Sequence, residues 1–253
     1  MGAAGALTYA PAAAWEEAEL DVALLATPDD VSAELAPRLL ERGVKVIDFS
    51  AAFRSPGPAV YGLSERFREA IARARFIANP GCYPTAILLA LAPLLEAGLL
   101  LPSGLVIHAV SGATGAGRKA SEAFSFSELE GDVRAYGIFH HRHVPELRRI
   151  LGEAAGGEVE FTFTPTLLPI RRGILATSVG RLAPGVGAAE VEAVYRRVYG
   201  AEPFVSLADS PAAVSLSQVV GTNLCRIGFA VDGERFLATS AIDNLVKGAA
   251  GQA

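Results

Sequence analysis

An α/β fold in two parts is what this sequence predicts: a doubly wound parallel sheet first, then an α+β unit. Three observations carry that reading. Short continuous apolar runs alternate with a helical segment over residues 21–48, a β-α-β rhythm that implies a parallel sheet buried on both faces. The texture changes at Gly104, after which strand-like segments dominate. Near the end, two apolar runs flank Asp232-Gly233-Glu234, a strong hairpin signal.

Taken in order, residues 21–26 are a short apolar run typical of a buried strand, ending in Thr27-Pro28-Asp29-Asp30. Asp30 or Ser32 caps a helix that runs to Arg42 and stops at Gly43. Residues 44–48 form the next strand, and residues 75–78 end another. Residues 85–95, rich in Ala, Ile and Leu, read as a helix with Pro84 in its first turn, where a missing N–H costs little. A strand over 105–110 leads into the Gly-rich run Ser111-Gly112-Ala113-Thr114-Gly115-Ala116-Gly117-Arg118. The polar stretch from there to Gly137 lacks periodicity and reads as an extended surface segment. Residues 143–152 suggest a short helix. Residues 159–182 are strand-rich, with Glu160, Thr162 and Thr164 alternating against Val159, Phe161 and Phe163. Residues 188–199 are amphipathic and helical. Parallel sheets bind ligands beyond the carboxyl ends of their strands. Ala26-Thr27-Pro28, Asp48-Phe49-Ser50 and Asn79-Pro80-Gly81-Cys82 all sit at such ends.

Composition narrows the classes. Half of the 253 residues are hydrophobic, which calls for a sizeable core. The net charge is −5 and no basic block appears, which argues against a nucleic-acid binder. Two cysteines, Cys82 and Cys225, make no disulfide framework and point to a reducing, cytoplasmic setting. The first residues carry no cationic region of a signal peptide. The apolar stretch 85–107 is broken by Pro93, Glu96, Pro102 and Ser103, so it reads as a buried helix and a strand rather than a membrane span.

The candidate chemistry centres on Cys82, between a strand end and a helix start. There the unpaired N–H groups and the dipole favour a thiolate, and the expectation is a lowered thiol pKa. His140-His141-Arg142-His143-Val144-Pro145-Glu146 holds three of the four histidines. With no second group of ligand residues at metal spacing, no metal site is expected. His143 reads instead as the acid/base partner of the thiol, with Glu146 one turn away to orient it. His140 and His141 read as a solvated loop or a substrate contact. The Gly-rich run is either a phosphate cradle or a flexible turn. Arg118 at its end and Arg54 are candidate oxyanion clamps, Arg54 alternatively a surface salt bridge. Asn244 suits a carboxamide contact or a helix cap. Arg171 and Arg172 receive no role.

Together these residues resemble the N-acetyl-gamma-glutamyl-phosphate reductase family over nearly the whole chain. The resemblance rests on Asn79-Pro80-Gly81-Cys82-Tyr83-Pro84-Thr85, Asp48-Phe49-Ser50-Ala51-Ala52-Phe53-Arg54, the run from Ser111 to Arg118, His141-Arg142-His143-Val144-Pro145-Glu146-Leu147, and the closing segment from Asp243. It implies a semialdehyde dehydrogenase-like fold: an incomplete Rossmann-like domain over 1–80, a catalytic and dimerisation domain over 81–241, and a returning helix over 242–253. It implies NADP-dependent reduction of an acyl phosphate through a Cys82 thioester in arginine biosynthesis, with His143 as acid/base and Glu146 as its partner. Ala26, Thr27, Pro28, Ser111, Gly112 and Asn244 would meet the cofactor; Asn79, Arg54 and Arg118 would meet a small-molecule acyl phosphate. A homo-oligomer, dimer or tetramer, is expected, with neither membrane nor nucleic acid as partner. The family's opening glycine turn is absent from residues 1–16, and the chain stops at Gln252-Ala253 where the family continues. That pattern predicts a fragment, a displaced start codon or a shortened chain, with weak or absent NADP binding that a nucleotide-fluorescence titration tests. The alternatives are a carrier-protein-linked aminoadipate-phosphate reductase of lysine biosynthesis, a cysteine hydrolase or acyltransferase, and an inactive fragment.

Overall fold

Four short apolar segments pair side by side. They are β1 (Val22–Leu25), β2 (Lys45–Asp48), β3 (Val60–Tyr61) and β4 (Phe76–Ala78), all parallel in the order β1-β2-β4-β3. The sheet is not buried on both faces throughout, since Val22 and Leu24 of the edge strand β1 are 47% and 61% exposed. The computed structural model describes residues 10–116 and 126–253. Helices α1 (Asp29–Glu41) and α2 (Ser64–Arg73) make the crossovers. Helix α1 starts directly after Pro28, one residue before the expected Asp30 cap, with Asp29 and Asp30 in its first turn where the dipole favours them. Leu25, Ala36, Leu39, Val44, Val46 and Phe76 form a small core of their own.

Helix α3 (Cys82–Glu96) is the hub of the molecule. Every residue from Tyr83 to Leu95 is buried, which is why the sequence shows no polar face there. The helix begins at Cys82, three residues earlier than expected. Thr85 N donates to Gly81 O at 2.9 Å and makes Cys82 the first helical residue.

Around α3 lies a seven-stranded mixed sheet, in the order β6-β7-β5-β8-β11-β10-β9. Its strands are β5 (Leu105–Gly112), β6 (Arg134–Ala135), β7 (Phe161–Leu168), β8 (Ile174–Arg181), β9 (Val205–Leu207), β10 (Cys225–Asp232) and β11 (Arg235–Ile242). The hairpin β10–β11 turns at Gly233, whose φ of 57° suits a residue without a Cβ. The short helix α4 (Phe126–Leu129) and β6 interrupt the stretch that reads as merely extended in the sequence. Helices α5 (Val144–Ala155) and α6 (Ala188–Tyr199) cover one face with α3, and their apolar sides join one large core. The other face is open, and Val106 and Val179, paired across β5 and β8, are 50% and 41% exposed.

After β11 the chain turns back towards the first sheet. A five-residue π-helical turn, Val246–Ala250, packs on α3, and Gln252 Nε2 donates to Gly62 O at 3.0 Å. Among the described residues no helix is long and apolar enough to cross a membrane.

Candidate active site

The C-terminal ends of β1, β2 and β4 face the start of α3, the start of α5 and the segment after β11. Between them lies a cleft of about 410 Å³. Ala26, Thr27, Pro28, Arg54, Asn79, Cys82, His143 and Asn244 all line it, so residues from five separate sequence motifs meet here.

Gly81 explains how the thiol and the imidazole come close. A Cβ at Gly81 would lie 2.5 Å from His143 Nε2 and 2.9 Å from Glu146 Oε2, so only glycine lets α5 approach α3 here. His143 caps the start of α5 and is buried, and its Nδ1 has no hydrogen-bond partner. Burial, then the positive charge of Arg54, holds its pKa well below the ordinary histidine value. The ring is therefore neutral at pH 7.

Glu146 does not pair with His143 as the one-turn spacing suggested. Its Oε1 accepts from Tyr61 Oη at 2.6 Å and from the Gly81 backbone N–H at 2.8 Å; Oε2 faces Arg54 Nη1 at 3.4 Å. The carboxylate clamps the Pro-Gly turn instead, because a buried charge takes the strongest donors within reach. Arg54 is likewise committed inward: Nε donates to Asn79 O at 2.9 Å and Nη2 to Phe49 O at 2.6 Å. Neither a surface salt bridge nor a free oxyanion clamp, it ties two strand-end loops to Glu146.

The thiol differs from expectation in one respect. Burial pushes the Cys82 pKa up; the charges of Arg142 and Arg54 and a hydrogen bond from the Tyr83 backbone pull the other way without overcoming it. Desolvation outweighs the helix end here. The other thiol, Cys225, is fully buried and pushed up to about 12, which excludes it as a nucleophile.

The Gly-rich run is not a phosphate cradle at its start. Its N–H groups are spent: Gly112 on Gly173 O, Ala113 on Ile170 O and Thr114 on Arg171 O. Gly112 is required because a Cβ would lie 2.7 Å from the backbone of Arg171 and Arg172. Ser111 and Gly112 border a second, adjoining cavity rather than the main cleft. Arg118 lies outside the described residues. Asn244 latches the last strand to this loop, accepting from Gly173 N at 2.8 Å and donating to Thr114 Oγ1 at 3.0 Å. Asp243 caps the following turn through Leu245 N and Val246 N and sits 3.8 Å from Arg172.

Tyr61, Gly248 and Arg142 are additions the sequence did not suggest. Tyr61 sits in a two-residue strand with no local signal. Gly248 lets the last segment touch Cys82, since a Cβ there would lie 2.8 Å from the Cys82 Cβ. Arg142 stood in plain view between two histidines, and its exposed guanidinium borders the cleft.

A half-buried thiol and a neutral imidazole at the mouth of a parallel sheet, joined to a mixed sheet with one open face, define a chain of the semialdehyde dehydrogenase class. Residues 4–74 match the family model described as semialdehyde dehydrogenase, NAD binding domain, and residues 82–244 the one described as its dimerisation domain. Aspartate semialdehyde dehydrogenase II of Vibrio cholerae superposes with a TM-score of 0.74 at 19% identity, over 91% of this chain and 76% of that one, a likeness of fold. Within the class, this chain belongs to the N-acetyl-gamma-glutamyl-phosphate reductase family. It is 44% identical to the reductase of Desulfotalea psychrophila over 92% of its length and 73% of the relative's. It is 43% identical to that of Acidithiobacillus ferrooxidans over 92% and 74%.

Proposed function

We propose that the chain reduces N-acetylglutamyl 5-phosphate to N-acetylglutamate 5-semialdehyde through a thioester on Cys82, a step of arginine biosynthesis. The observation that carries this reading is the shared cleft of Cys82 and His143, held in place across Gly81 by the Glu146 carboxylate. The relatives' names do not favour the aminoadipate alternative.

The residues lining the cleft fit a nicotinamide cofactor. Ala26, Thr27 and Pro28 offer a lining of small side chains, and Gly115, beside Ser111 and Asn244, and Gly248, against Cys82, line the same cleft without any. Ala26, Thr27, Pro28 and the Thr114–Asn244 latch would hold it. When bound, NADPH supplies the hydride.

The protein's own steps follow from its charges. Cys82 starts as a thiol and His143 as a neutral base, so attack and proton transfer go together. The sulfur–carbon bond forms, the carbon–oxygen bond to phosphate breaks, and His143 Nε2 passes the thiol proton to the departing phosphate. The N–H groups opening α3 lie beside the sulfur and stabilise the oxyanion. After hydride arrives, the thiohemiacetal oxyanion collapses to the aldehyde and expels the Cys82 thiolate, which regains a proton from water through His143. Glu146 and Arg54 position the Pro-Gly turn and touch no reacting atom. Residues 1–80 and 242–253 serve the cofactor side and residues 81–241 the acyl side. The chain assembles as a homo-oligomer through the open face of the seven-stranded sheet, a reading supported by the dimerisation-domain match and by exposed Val106 and Val179.

Absorbance at the NADPH band, followed together with phosphate and semialdehyde, tests the reading. C82S abolishes all three signals while leaving the fold intact. Turnover undiminished in C82S would overturn it.

A further inference from the structure

The main cleft has a neighbour. A second cavity of about 300 Å³ is bordered by Ser111, Tyr136, His141, Arg142 and Leu167. Gly115 and Arg142 line both spaces, so the two meet there. Cys82 and His143 border only the first, so nothing that enters the second is a reacting group.

The second cavity is built for an anion. Among the described residues that line it, none carries a carboxylate. Arg142 contributes an exposed guanidinium, the side chain best shaped to grip a carboxylate with two hydrogen bonds. His141 Nδ1 accepts the His143 backbone N–H at 3.2 Å. Burial and Arg142 hold the His141 pKa down to about 4, so the ring is neutral at pH 7 and its proton sits on Nε2, a second donor. His141 is fixed edge-on among Tyr83, Tyr136 and Phe163. Tyr136 Oη is hydrogen-bonded to Tyr83 Oη at 2.9 Å, which holds this wall to the start of α3.

Resting on the functional reading above, we infer that this second cavity takes the amino-acid end of the substrate, with Arg142 as the anchor of its α-carboxylate. An N-acylated amino acid carries a carboxylate at one end and the reacting carbonyl at the other. The carbonyl and its phosphate must stay with Cys82, so the anion left to enter the second cavity is the α-carboxylate. Arg54 is no rival anchor, because its guanidinium is spent on Asn79, Phe49 and Glu146.

The test pairs two substrates with two proteins. 4-Acetamidobutyryl phosphate is N-acetylglutamyl phosphate without the α-carboxylate. Wild type prefers the carboxylated acyl phosphate, and R142Q reduces that preference in kcat/KM by about 30-fold, carried by KM, as expected for a lost hydrogen bond to a charged group. R142K, a point charge without the fork, falls between. Alkylation of Cys82 by iodoacetamide gives a readout that needs no cofactor. N-acetylglutamate protects the wild-type thiol better than 4-acetamidobutyrate, and R142Q loses the difference. If R142Q slows both acyl phosphates by one factor, or protection is the same with and without the α-carboxylate, the anchor is overturned and the functional reading stands. A wild-type chain that reduces neither acyl phosphate strikes the functional reading instead, and the alkylation arm still decides the anchor.

Discussion

Gly81 and Cys82 show how much one position decides. Gly81 lets two helix starts meet, and the next residue, Cys82, carries a desolvated thiol into the cleft that His143 also lines. The raised thiol and the depressed His143 together define a neutral pair, not a thiolate–imidazolium pair. Free thiols titrate near pH 8.5, and this one titrates higher, so alkylation of Cys82 by iodoacetamide rises through the alkaline range with no plateau between about pH 5 and 7. A rate that levels off in that acid window reveals an ion pair and overturns this assignment. Cys82, His143 and Glu146 were all legible in the sequence, because thiol, imidazole and carboxylate at such spacings suggest nucleophilic chemistry. The partner of Glu146 was not: Tyr61 and Gly81 lie 85 and 65 residues away in sequence.

At the level of elements, α3 was the clearest feature and the closing segment the most underestimated. The helix announces itself through unbroken apolar sequence. The closing turn is short, and its importance comes from what it reaches. Lys247 is almost wholly buried in an ion pair with Glu65 at the start of α2, 182 residues away, with its ammonium 5.7 Å from the Phe204 ring centroid. The pair and the Gln252 hydrogen bonds to Gly62 and Ser64 tie the last residues to the start of α2 and the segment before it. Breaking one half of a buried pair leaves an uncompensated charge, so K247M lowers unfolding stability by about 3–5 kcal/mol. Adding E65L to K247M recovers most of that loss in urea unfolding. If K247M melts with wild type, the pair is not structural.

On the scale of the whole molecule, the site exists only where two sheets converge. The first contributes strand ends and small residues; the second contributes the imidazole, the latch and the open face. That open face carries apolar side chains that a lone subunit leaves in water. V106K combined with V179K places two cations on the centre of the face, and light scattering behind size exclusion then reports a smaller assembly with unchanged circular dichroism. A wild-type chain that elutes as a monomer contradicts the proposed assembly.

Sequence alone determined the alternation of strands and helices, the hairpin at Gly233, the amphipathic helix over Ala188–Tyr199 and the place of Cys82 between a strand end and a helix start. Periodicity, turn chemistry and motif spacing are local properties, and a linear chain displays them. Tertiary structure decided the direction of the thiol's pKa shift, the inward commitment of Arg54, the partners of Glu146 and the spending of the Gly-rich N–H groups on residues 170–173. Desolvation and hydrogen-bond competition depend on which distant groups arrive first at one buried point, and no spacing along the chain encodes that.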